Sequence, residues 1–224
     1  GPGGLTRALL LEGAAHVIAI EKDRRASAVL SSLSMAAGER LTLIEDDALT
    51  SPIWDIGTAP RRIIANLPYN IATPLLIQWL SHANCFDSMT LMFQREVAER
   101  ITAQPGTDAY GRLSVLTKWR ADAEILFDVP ASAFVPPPKI ISSVVQIVPL
   151  AQPRYPCSQK ALEFITRTAF GQRRKMLRSS LKKINGDHLL KEAGIAPDLR
   201  PQDIDIEWFC KLAHLYESTA KTAS

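Results

Sequence analysis

Ile63-Ile64-Ala65-Asn66-Leu67-Pro68-Tyr69-Asn70 sets the reading of the whole chain. An apolar run with β-branched residues breaks into a polar side chain, a proline turn and an aromatic. Buried strands of α/β sheets end in this way, and such sheets bind ligands outside the carboxyl ends of their strands. Asn66 is therefore expected at the mouth of a pocket. Pro68 fixes one backbone angle and carries no N–H, so the turn is stiff and its carbonyls can accept hydrogen bonds from elsewhere. Tyr69 offers a flat apolar face with a polar tip, suited to stacking on a nucleobase. A plain strand-to-helix turn with a buried tyrosine fits these eight residues equally well.

Three other segments add weight to the pocket. Gly1-Pro2-Gly3-Gly4-Leu5-Thr6 opens a helix-like stretch, and Val17-Ile18-Ala19-Ile20-Glu21 follows as a buried strand ending in a carboxylate. A glycine turn near a ligand, with an acid about 20 residues on for ribose hydroxyls, is the dinucleotide-binding arrangement. Leu41-Thr42-Leu43-Ile44 delivers Glu45, Asp46 and Asp47 to the same sheet edge. Phe134-Val135-Pro136-Pro137-Pro138-Lys139 places an aromatic before a stiff, polyproline-like segment. Taken alone, that triplet reads as well as a linker.

Alternating strand-like and helix-like stretches predict a parallel sheet with helices on both faces. Strands are expected at 16–20, 41–45, 62–66, 89–93, 123–128 and 143–148, and helices at 4–12, 23–36, 72–81, 94–103 and 111–119. The last two strands should pair antiparallel across the proline segment. Pro149 to Pro156 carries three prolines and few large apolar residues, which divides the chain into 1–150 and 151–224. Beyond it, Gln159 to Ile184 has helical spacing, Leu189-Leu190 and Trp208 to Leu215 give shorter helices, and Ser218 to Ser224 reads as disordered. The expected class is α/β with a small all-helical C-terminal domain.

Apolar residues make up 46% of the 224 and charged residues 22%, an ordinary balance for a soluble protein. No apolar run approaches the roughly 18 residues that span a bilayer. Cys85, Cys157 and Cys210 lie far apart, with neither zinc spacing nor a disulfide framework, which suits a reducing cytoplasm. His16, His82, His188 and His214 are equally scattered, so no metal is expected. The net charge of +3 hides an asymmetry. Residues 160–183 hold Lys160, Arg167, Arg173, Arg174, Lys175, Arg178, Lys182 and Lys183 against the single acid Glu163. A solvated helix face is the plain account. Uncompensated positive charge instead favours an anionic polymer, because counterion release drives binding.

In this order, the motifs resemble the rRNA adenine N6,N6-dimethyltransferase family, in its bacterial small-subunit (16S) branch. The matching stretches are residues 1–6, 20–23, 46–50, 66–76, 94–101, 109–115 and 134–145, continuing through Phe170-Gly171-Gln172-Arg173-Arg174-Lys175. The long asparagine motif and the proline motif with its lysine are the specific ones. Members of the family carry a further leading stretch and a first strand ending in Glu-x-Gly before the glycine turn. This chain begins inside that turn, so the resemblance implies an N-terminally truncated chain without the first strand.

The resemblance also implies a Rossmann-like class I methyltransferase sheet at 1–150 and a helical RNA-binding domain at 151–224. S-adenosylmethionine would be the methyl donor, with no metal. Gly1, Gly3, Glu21, Lys22, Asp47, Ala48 and Asn66 would hold it. Asn66, Leu67, Pro68, Tyr69 and Phe134 would orient the target adenine, the asparagine oxygen and the Leu67 or Pro68 carbonyl accepting the amine hydrogens. Arg173, Arg174, Lys175 and Arg178 would contact 16S rRNA within the small ribosomal subunit, and the enzyme would act as a cytoplasmic monomer. A 23S-type antibiotic-resistance methyltransferase shares the asparagine motif and is the nearest rival. A non-catalytic ribosome-assembly factor on the same fold is the rival outside the enzymes.

Overall fold

The computed structural model describes residues 3–222, with side chains through Thr219. Gly1 and Pro2, on which part of the expected donor site falls, lie outside the described residues. The chain opens with α1 (Gly4–Leu11), β1 (Val17–Glu21), α2 (Arg24–Ala37) and β2 (Leu41–Glu45). It continues through β3 (Arg62–Asn66), α3 (Tyr69–Ser81), β4 (Ser88–Gln94), α4 (Arg95–Thr102) and α5 (Arg112–Arg120). β5 (Ala121–Val129) and β6 (Ser142–Pro149) close the α/β part. The six strands stand within two residues of their expected limits, because each is a short apolar run bounded by turn residues.

The strands form two sheets rather than one. β1 and β2 pair in parallel, Glu21 opposite Glu45. The second sheet runs β3-β4-β6-β5, with β3 parallel to β4 and β6 antiparallel to both its neighbours. β1 ladders only with β2, and β3 only with β4. Among the described residues no strand lies between them to carry the hydrogen bonds across. β5 and β6 are the expected antiparallel pair, but β6 is the inner strand. β5 forms the edge and bulges between Ile125 and Phe127.

Tyr69 begins α3 three residues ahead of the expected start. Pro68, at φ −55° and ψ 133°, serves as the cap residue, and its carbonyl accepts the N–H groups of Ile71 and Ala72 at 3.1 and 3.2 Å. A fixed φ near this value prepares the chain to enter a helix. The consequence is functional. Tyr69 is held on a rigid helix terminus, immediately beyond the end of β3.

Two apolar cores support this frame. One joins α3 and the sheet, through Leu75, Leu76, Trp79, Met89, Leu91, Phe93 and Val145. β4 alternates between buried Met89, Leu91 and Phe93 and less buried neighbours, the period-two pattern of a strand with its tighter face on a core. The other core gathers α6 (Gln159–Phe170), α7 (Leu177–Ser180), α8 (Gly186–Ala193) and α9 (Ile206–Thr222). It also takes in Val115, Leu116 and Trp119 of α5, so α5 joins the helical part to the sheet.

Two C-terminal expectations are corrected. Gln159 to Ile184 is not one helix: α6 stops at Phe170, and residues 171–176 turn before α7. Gly171, which lacks a side chain to hold helical backbone, marks the break. Ser218 to Thr222, expected to be disordered, continue α9. Ser218 and Thr219 donate their hydroxyls back to the His214 and Tyr216 carbonyls, satisfying polar groups along the helix.

Candidate active site

Glu21, Asp47 and Asn66 to Tyr69 come from the carboxyl ends of parallel strands or the turns after them, and Phe134 from the segment between β5 and β6. Asn66 ends β3 opposite Met92 of β4. Asn66, Leu67, Pro68, Tyr69 and Phe134 line one open cavity of about 180 Å³, joined by Met92, Pro136 and Pro138. That is below the ~300–1,000 Å³ of drug-sized ligand sites and suits a single flat ring system. Tyr69 remains 37% exposed, so its ring is a wall of the cavity and not a core filler.

The ring of Tyr69 is fixed by its hydroxyl, which lies 2.7 Å from the Ser142 Oγ. Ser142 is fully buried at the start of β6. The neighbouring residue, Ser143, donates to the Asp128 carboxylate at 2.6 Å, and Arg95 reaches the other Asp128 oxygen at 2.9 Å. The Arg95 N–H also donates to the Ile141 carbonyl at 3.0 Å. Both ends of the segment that carries Phe134 are therefore tied to the first residue of α4. Val135–Pro136 is a cis peptide. Sequence reading missed Ser142 and Met92. Their signal was present only as the strand-end position of Met92 and the serine pair closing the proline motif.

The two amide-turn carbonyls are not equivalent. Pro68's is engaged by the first turn of α3. Leu67's accepts no backbone hydrogen bond among the described residues.

On the first sheet, Glu21 Oε1 accepts the Asp23 N–H at 2.9 Å. Asp47 holds Lys22 through Oδ2 at 2.7 Å and the Leu49 N–H through Oδ1 at 3.0 Å. The Lys22 hydrogen bond, then the Leu49 N–H, keep the Asp47 carboxyl below its ordinary pKa, so it is ionised at neutral pH. Within the turn, the N–H groups of Asp47, Leu49, Thr50 and Ser51 all have acceptors. That of Ala48 has none among the described residues. Gly3 sits at φ +87°, where a Cβ would come within 2.8 Å of Leu30 Cδ2. Only glycine meets both demands without strain. The Asp47 turn is linked to the helix that carries Tyr69 by Gln78 of α3, which donates to the Leu49 carbonyl at 3.4 Å.

The basic cluster differs from a helix face. Arg173, Arg174 and Lys175 lie on the turn between α6 and α7, and Arg178 alone of the four is helical. Arg173 is half-buried and donates to Gln202 and to the Thr107 carbonyl, both at 3.3 Å. It ties the turn to the loop before α5. Arg174, Lys175 and Arg178 are exposed. Glu163 does not serve them, since it binds Arg112 at 3.3 Å and accepts from Gln159 at 2.8 Å. None of the eight basic residues of 160–183 is in an ion pair with a described residue.

Among the described residues, no group of three or more His, Cys, Asp or Glu is arranged to hold a metal ion. No described helix is long and apolar enough to cross a membrane.

Comparison with known proteins agrees with this geometry. The chain is 52% identical over 219 residues to Ribosomal RNA small subunit methyltransferase A of Rhodospirillum rubrum, covering 97% of this chain and 76% of that protein. It is 54% identical over 222 residues to the protein of the same name in Azorhizobium caulinodans, covering 96% and 76%. A dimethyladenosine transferase from Plasmodium falciparum superposes with a TM-score of 0.79 at 26% identity, over 99% of this chain and 88% of that one. The 23S rRNA methyltransferase ErmE shares the fold, with a TM-score of 0.68 at 22% identity over 97% and 88%. The Rossmann-like class I methyltransferase fold is thereby established. The family described as Ribosomal RNA adenine dimethylase matches residues 1–218, and with the asparagine turn, the aromatic cavity and the strand-end carboxylates in place, the chain belongs to that family.

Proposed function

We propose that the protein dimethylates N6 of two adjacent adenosines near the 3′ end of 16S rRNA in the small ribosomal subunit. The carrying observation is the single cavity in which Asn66, Leu67, Tyr69 and Phe134 converge. When bound, S-adenosylmethionine supplies an electrophilic methyl group. The residues present suit it in kind: two strand-end carboxylates for hydroxyl and amine hydrogens, the unengaged Ala48 N–H for a ring acceptor, and Gly3 in a left-handed turn packed on Leu30. In this reading Glu21 takes the ribose hydroxyls and Asp47 the donor's adenine amine. Lys22 positions the Asp47 carboxylate. The glycine turn at Gly3 would lie along the methionine part.

An exocyclic adenine amine is a poor nucleophile, because its lone pair is delocalised into the ring. The Asn66 side-chain oxygen and the Leu67 carbonyl accept its two hydrogens, turning the lone pair toward the methyl group and stabilising positive charge as it develops. Pro68 keeps the turn stiff while its own carbonyl serves α3. Tyr69 and Phe134 enclose the extruded base, each stack worth on the order of 1–3 kcal/mol. The surplus proton of the methylated amine leaves to solvent through the open side of the cavity. Residues 1–150 carry this chemistry, and residues 151–224 dock rRNA through Arg174, Lys175 and Arg178, with Arg173 bracing the turn. The protein acts as a cytoplasmic monomer.

Three results test this reading. Incubated with both ribosomal subunits and methyl-labelled donor, the protein should label small-subunit RNA. Label on large-subunit RNA, or on neither, overturns the proposal. Glu21→Ala should weaken donor binding by about 1–3 kcal/mol, as expected when a charged acceptor is removed; unchanged affinity by calorimetry in both Glu21→Ala and Asp47→Ala would move the donor site elsewhere. Tyr69→Phe and Ser142→Ala should each lower kcat/KM by roughly 2–10-fold, and the double variant no further, because one hydrogen bond is lost in all three. Additive losses would mean that the pair does not act as a unit.

A further inference from the structure

The segment after β5 forms part of the cavity wall. Phe134, Pro136 and Pro138 line the base cavity. Val135, Pro137 and Lys139 do not line it and are exposed, as is Pro136. Val135 is 99% exposed, the most open of the large apolar side chains described. Residues that line the cavity and side chains fully open to solvent therefore neighbour each other along this one segment. Lys139 makes no ion pair with a described residue. An exposed surface results, apolar at one end and cationic at the other, continuous in backbone with the wall of the cavity.

We propose that the outer surface of this wall, formed by Val135, Pro137 and Lys139, binds the nucleotide adjacent to the target adenosine. The inference rests on the function proposed above and names a contact outside the cavity. Extruding a base leaves its neighbour without a stacking partner on one face. Apolar side chains substitute for that partner in proteins that open a base stack. Val135 and Pro137 supply the apolar face, and Lys139 neutralises the phosphate that follows. With two adjacent adenosines as substrate, one occupies the cavity while the other rests on the wall.

The test pairs an RNA change with a protein change. Small-subunit particles are reconstituted with 16S rRNA that is intact, or abasic at the nucleotide on the 5′ or the 3′ side of one target adenosine. Wild-type protein should methylate that target about five- to tenfold more slowly when the base on one of the two sides is missing, the lower range of a lost stack. Val135→Asp should lose a similar factor on intact particles and little more on the abasic ones, since the contact is already gone. Donor affinity by calorimetry should be unchanged, which certifies the fold of this surface variant. Lys139→Glu should lower the rate on intact and abasic particles alike, because its contact is to phosphate. Independent, multiplicative losses from Val135→Asp and the abasic change overturn the proposal, as does full activity of Val135→Asp on intact particles. Failure of the wild type on intact particles instead removes the proposed function, and this surface contact with it.

Discussion

Asn66→Ala should lower turnover by about two to three orders of magnitude while leaving RNA and donor affinities nearly unchanged. In the proposed mechanism the side-chain oxygen accepts an amine hydrogen in the ground state, where water does almost as well. In the transition state the amine becomes cationic, and the same acceptor then meets a far stronger donor. Interactions made mainly in the transition state appear in kcat and not in binding. Asn66 is the last residue of β3, in register with Met92, so the truncation leaves the other residues that line the cavity in place. Single-turnover rates alongside RNA and donor titrations separate the two effects. Near-normal turnover in Asn66→Ala would sink the mechanism.

Reversing Arg174, Lys175 and Arg178 to glutamate should abolish methylation of ribosomal particles and leave donor binding intact. These three are exposed, and the one acid nearby in sequence is occupied by Arg112. Each phosphate contact contributes roughly 0.7–0.9 to the slope of log affinity against log salt, so the slope should flatten by about two to three. Arg173 is left out because its guanidinium braces the turn through Gln202 and Thr107; changing it would disturb the fold as well as the charge. If particle binding and its salt slope both survive the triple reversal, this turn is merely solvated and RNA docks elsewhere.

The sequence made the strand ends legible because a strand's limits are local. Ile63 to Asn66 is apolar until it stops, and the stop is a polar side chain followed by proline. The same logic located Glu21 and Asp47. What was not legible depends on contacts distant in sequence. Ser142 lies 73 residues from Tyr69, and no local pattern says that their hydroxyls meet. The difference between the Leu67 and Pro68 carbonyls follows from where α3 begins, three residues earlier than apolar spacing indicated. Helical spacing in 159–184 persisted through a turn, because alternate residues there still face the same core, and so the break at Gly171 was hidden. The division of the strands into two sheets depends on which strands pair, and a strand's own sequence carries no local mark of its partner.

The most direct measurement of the central claim is mass spectrometry of nucleosides from small-subunit RNA treated with the protein and isotopically labelled S-adenosylmethionine. The expected result is N6,N6-dimethyladenosine with both methyl groups labelled, mapped to two adjacent positions near the 3′ end and absent when Asn66→Ala replaces the wild type. Label confined to another base or another ring position, or dimethyladenosine formed equally well by Asn66→Ala, would contradict the account.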